Sequence, residues 1–125
     1  MSEDGHEARN WEFYIQDMTY FGRKVLAYTE GLDQDAFVVE DHICDATLPN
    51  IELIGEAATR IPAVVRDAYA KIQWRQIIGA RHHVAHANVG LDDDVIWEIV
   101  RADIPRLLPA LRNLLDSTDE GSKER

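Results

Sequence analysis

"WRQIIGARHHVAHANVGLDDDVIWEIVRADIPRLLPAL", Trp74 to Leu111, decides the fold. Apolar residues recur at helical spacing on both sides of Gly90, which predicts one helix from Trp74 to about Asn88 and another from Val95 to about Leu115. Gly90 is placed to end the first. The acidic run Asp92, Asp93 and Asp94 offers side-chain oxygens to cap the second. Pro105 and Pro109 should bend that second helix, because each removes a backbone donor and crowds the preceding turn.

Working outward, the same spacing predicts a first helix over Glu7 to Glu30, with Trp11, Ile15, Met18, Val25 and Leu26 inward and Gly31 closing it. A second helix runs over Asp35 to Arg60, with Ile43, Leu48, Ile51 and Ile54 buried and a kink or break expected at Asp45 to Pro49. Pro62 opens a short helix to about Ala70. Trp74 and Trp97 are expected core anchors, and Gly55 and Gly79 expected points of close helix contact. No alternating apolar pattern is present to form strands, and no Asn-Gly or Asp-Gly turn joins two such runs. The prediction is an all-α, up-and-down bundle of about five helices, one domain over residues 1–115, with a polar tail, 116–125, that should fray.

The 125-residue chain carries a formal net charge of -10. That argues against a broad electrostatic grip on nucleic acid or anionic membrane, so any contact with RNA must be local. Cys44 is the single cysteine, and the acidic start "MSEDGHEAR" lacks the pattern of a secretory signal. No apolar run approaches the roughly 20 residues that cross a bilayer. A soluble protein in a reducing cytoplasm is the expectation.

Against that acidic background, Arg81, His82, His83 and His86 gather on one predicted helix. His82 and His86, four residues apart, share a face and could hold a metal, but a closed site needs about four ligands and only Asp92, Asp93 and Asp94 are near in sequence. No metal and no cofactor are expected. Arg81 and His86 diverge by about 140° around the axis. They would flank a groove where two copies of the helix meet across a two-fold axis, each contributing an Arg and a His. Arg grips phosphate with a planar fork, and His titrates near neutral pH. The pair therefore suits RNA cleavage, His86 moving protons at the ribose 2′-hydroxyl or the leaving 5′-oxygen and Arg81 meeting charge on the phosphorane. On spacing alone, a solvated helix surface is the stronger reading, since Arg followed five residues later by His is a common chance pairing. Arg75, Arg66 and His83 are candidates for a positive rim along the RNA.

The opening stretch, together with "IELIGEAATRIP" from Ile51 to Pro62, closely resembles the HepT-like branch of the HEPN superfamily. "RNWEFYIQDM" matches that family's first helix more loosely, and the similarity covers about Ala8 to Leu115. The resemblance implies a helical bundle that forms a homodimer and acts as a metal-independent endoribonuclease toxin, paired with an MntA-like nucleotidyltransferase antitoxin. The family signature is Arg, a polar residue, three variable positions, His, one residue and Tyr. It falls here on Arg81, His82 and His86, with Asn88 in the tyrosine position. In the family that tyrosine receives AMP from the partner, which silences the nuclease; an asparagine amide has no phenolic hydroxyl to receive it. The competing reading is a non-catalytic helical dimer that binds a nucleotidyltransferase or a nucleotide.

Overall fold

The computed structural model describes residues 2–87 and 92–123. Among the described residues the α-helical segments are α1 (Ser2–Thr29), α2 (Gln34–Val39), α3 (Asp41–Thr59), α4 (Ala63–Ala68), α5 (Trp74–His86), α6 (Asp93–Glu98) and α7 (Ile104–Lys123), with a π-helical turn, Ile99–Asp103, joining α6 to α7. No strand occurs among the described residues, so the chain is all-α. No helix there is long and apolar enough to cross a membrane.

Local chemistry sets the boundaries. After α1, Gly31 adopts φ 77°, a left-handed conformation that glycine enters without a Cβ clash. Asp33 then starts α2, its carboxylate accepting the Ala36 N–H at 2.8 Å. The interruption expected at Asp45 to Pro49 lies instead at Glu40, whose φ of -92° and ψ of 89° separate α2 from α3. Pro49 sits inside an unbroken α3. Its ring is on the exposed side, where water can bond the carbonyl it leaves without a donor. The Asn50 side-chain amide also donates to the neighbouring Ala46 carbonyl at 2.7 Å.

Pro105 does distort its helix, by a different route from a simple bend. Without an N–H it cannot donate to the Arg101 carbonyl, and the preceding turn widens so that the Ile104 N–H reaches the Ile99 carbonyl five residues back. The helix continues past the expected end at Leu115 to Lys123, with the Thr118 hydroxyl donating back to the Leu114 carbonyl at 3.1 Å.

α3 packs most extensively against α1 and α5, and α7 closes against α1. Ile15, Met18 and Val25 of α1 meet Ile51, Ile54 and Ala58 of α3, while Ile96, Val100, Ile104, Leu107, Leu111 and Leu114 form a buried stripe on the final helical run. Trp74 is buried. Trp97 and Trp11 pack at the core's edge, and Trp97 lies 5.3 Å from the Phe37 ring.

The two glycines singled out in the sequence differ. A Cβ at Gly55 would stand 2.8 Å from the Arg81 Cγ and 3.0 Å from the Ile77 carbonyl oxygen, so α3 and α5 approach closely there. Gly79, expected to do the same, has nothing within 4 Å of where a Cβ would be; it faces open space. Gly79→Ala should therefore stabilise the protein by about 0.5–1 kcal/mol through helix propensity, whereas Gly55→Ala should destabilise it by about 1–2 kcal/mol through overpacking. Urea denaturation of the two variants beside wild type checks this, and equal effects would contradict the close contact.

Candidate functional site

α5 is anchored before it presents anything. Trp74 is buried at its start and donates its indole N–H to the Tyr69 carbonyl at 3.1 Å, and Ala80, six residues on, is buried as well. With Trp74 and Ala80 inward, Arg81, His82 and His86 reach the molecular surface to different degrees: His82 is exposed, Arg81 and His86 half-buried.

Arg81 is the most closely held of the three. Its aliphatic stem crosses α3 where Gly55 leaves room, its Nε donates to the Ile78 carbonyl at 3.3 Å, and its Nη1 donates to Glu56 Oε2 at 2.8 Å. The other carboxylate oxygen of Glu56 lies 3.5 Å from Arg60. Glu56 is a functional candidate that the sequence reading missed. Its side chain is 49% exposed and Arg81's 38%, so the pair is screened by water and worth about 0.2–1 kcal/mol. It orients the guanidinium without locking it, and an incoming phosphate can replace the carboxylate.

His86 places Nδ1 3.0 Å from the His82 carbonyl oxygen one turn back. A carbonyl only accepts, so Nδ1 carries the proton and Nε2 of the neutral ring is left as an acceptor. The His82 and His86 ring centroids are 4.5 Å apart. His83 turns away from both, its Nδ1 3.0 Å from Asp92 Oδ2. This contact also corrects an expectation at α6: Asp92 precedes that helix but makes no capping hydrogen bond, because its carboxylate faces His83. The resulting link ties the end of α5 to the start of α6.

The structure thus brings His82 and His86 together and gives Arg81 separate partners; Arg81 and His86 do not bond to each other. Arg75 is exposed in the first turn of α5. Arg66 is half-buried in α4, its Nε buried with no hydrogen-bond partner among the described residues. Neither is bonded to Arg81 or His86. Among the described residues no three His, Cys, Asp or Glu side chains are grouped to hold a metal ion. Asn88 lies outside the described residues.

Residues 21–114 match the family described as Ribonuclease HepT-like. "Probable ribonuclease HepT" of Thermococcus cleftensis is 37% identical over 104 residues, which span 79% of this chain and 90% of that protein. "Putative RNase TTE0752" of Caldanaerobacter subterraneus subsp. tengcongensis is 29% identical over 104 residues, 83% of this chain and 89% of that protein. "Putative RNase MJ1380" of Methanocaldococcus jannaschii is 26% identical over 99 residues, 79% of this chain and 91% of that protein. No solved structure matches the chain.

The His86 geometry has a direct spectroscopic signature. Long-range 15N–1H correlation spectra of the neutral ring should show His86 protonated on Nδ1. A spectrum with the proton on Nε2 would contradict the hydrogen bond to the His82 carbonyl.

Proposed function

The chain belongs to the HepT-like ribonuclease family, and from that footing we propose that it is a metal-independent endoribonuclease toxin whose cleavage groove forms where the α5 helices of two copies meet. The observation that carries this reading is the pairing of an Arg81 partly exposed and held by Glu56 at 2.8 Å with a His86 whose Nδ1 is engaged and whose Nε2 has no hydrogen-bond partner among the described residues.

In this groove His86 Nε2 takes the proton of a ribose 2′-hydroxyl. The 2′-oxygen then forms a bond to phosphorus while the bond from phosphorus to the 5′-oxygen breaks. The leaving oxygen takes a proton from Nε2 of the second copy's His86, which enters the step as the imidazolium, so one imidazole acts as base and the other as acid. Arg81 leaves Glu56 for the phosphate and meets the charge that develops on the phosphorane oxygens. His82 supports the reaction through its carbonyl, which fixes the His86 tautomer. The products are a 2′,3′-cyclic phosphate and a 5′-hydroxyl. Arg75, Arg66 and His83 serve as a rim for the flanking RNA.

Control belongs to an MntA-like nucleotidyltransferase antitoxin. Because Asn88 occupies the family's AMP-acceptor position and its amide is no nucleophile for that transfer, the partner acts here by covering the groove without attaching AMP to residue 88. A second reading, a non-catalytic dimer that only binds the partner or a nucleotide, draws on Asn88 and on the net charge of -10.

RNA cleavage separates the two. His86→Ala should slow it by about 10²–10⁴-fold, the usual worth of general acid–base catalysis. Arg81→Lys should also be impaired, because an ammonium lacks the fork that matches two phosphate oxygens. Activity should persist in EDTA, and light scattering should report twice the 14.2 kDa chain mass. An unchanged rate in His86→Ala, or loss in EDTA with recovery on Zn²⁺, would overturn the mechanism.

A further inference from the structure

In a regular α-helix residues five apart diverge, but a π turn, hydrogen-bonded over five residues, brings them toward one side. The turn before Pro105 does this for two acids. Glu98 and Asp103 both open into one cavity of about 290 Å³, together with Gln76 and Ile77 of α5 and the cations Lys71 and Arg106. Partial burial, and then the charge of Glu98, hold the Asp103 carboxyl above its usual range, while Arg106 pulls it down. The cavity therefore presents hydrogen-bond acceptors, an amide and cations within one small volume.

That combination selects among the groups an RNA offers. Guanine carries two adjacent N–H donors on its Watson–Crick edge, which a carboxylate accepts bidentately, and a carbonyl oxygen beside them for an amide donor such as Gln76. Adenine places a bare ring nitrogen where guanine has one of those donors, opposite the carboxylate. Lys71 and Arg106 supply the charge that a nucleotide phosphate needs. Ile77, which lines the cavity, stands four residues and about one helical turn before Arg81 on the same face of α5, so the cavity and Arg81 share that helix face. We propose that the cavity is a base-binding subsite that takes a guanine nucleotide of the RNA, read by Asp103, Glu98 and Gln76 and neutralised by Lys71 and Arg106. Assignment of that guanine to the RNA substrate rests on the ribonuclease reading above.

The subsite is tested without cleavage, by calorimetric titration of the full-length His86→Ala protein with GMP, guanosine and AMP. GMP should bind about ten-fold or more tightly than AMP, since one hydrogen bond to a charged group is worth that factor. Guanosine should bind more weakly than GMP because it leaves Lys71 and Arg106 without a phosphate. Adding Asp103→Asn should reduce GMP affinity about ten-fold or more, because an amide presents a donor to guanine's donors. Glu98→Gln gives an independent variant should Asp103→Asn fail to fold, as judged by circular dichroism. No GMP binding at millimolar concentration, equal binding of AMP, or GMP affinity unchanged in a folded variant would each overturn the proposal. The nuclease-inactive background leaves the cleavage chemistry out of the result, so this failure is distinct from a failure of His86 or Arg81 in RNA cleavage.

Discussion

The contact between Gly55 and Arg81 is the constraint on which the candidate site depends. Any side chain at position 55 would fall within 3 Å of the Arg81 stem, so the missing Cβ sets how close α5 comes to α3 and where Arg81 leaves the helix. The next residue completes the device: Glu56, one position along α3, meets the guanidinium at 2.8 Å. A close helix crossing and an ion pair, each modest alone, together orient a cation that stays partly exposed. An acidic protein can in this way offer phosphate a local positive point without a basic surface.

α5 divides its work between its two ends. Trp74 and Ala80 fix the buried side, while the last turn engages His86 with the His82 carbonyl and His83 with Asp92. The contact to the His82 carbonyl fixes which His86 nitrogen carries the proton and leaves the other as the acceptor, the detail that lets a histidine act as a base. In the final helical run, Pro105 works through an absence, the missing N–H that widens one turn and aligns Glu98 with Asp103. The proline changes which side chains face together, and so shapes the cavity that its neighbours Asp103 and Arg106 line.

Much of this was legible in the sequence. The helices show in the 3.6-residue apolar period, and Gly31 ends α1 as its position implies. Arg81 and His86 stand out by residue type and spacing. What escaped depends on tertiary surroundings. Pro49 does not break α3, since its exposure makes the lost hydrogen bond tolerable. Asp92 does not cap α6, since His83 competes for its carboxylate. Glu56 was invisible as a partner because Arg81 lies 25 positions away; only its adjacency to a helix-interior glycine hinted at a crossing point. Gly79 shows the limit of that hint, being a helical glycine with no neighbour above it.

The claim at the centre is that an Arg and a His, unaided by metal, route cleavage through the ribose 2′-hydroxyl. The chemistry of the RNA ends tests this most directly. A 5′-labelled RNA digested by the purified protein in EDTA should give fragments ending in a 2′,3′-cyclic phosphate, with a 5′-hydroxyl on the downstream piece. Fragments with a 3′-hydroxyl and a 5′-phosphate would mean that water attacks the phosphate directly, and would contradict the role given to His86.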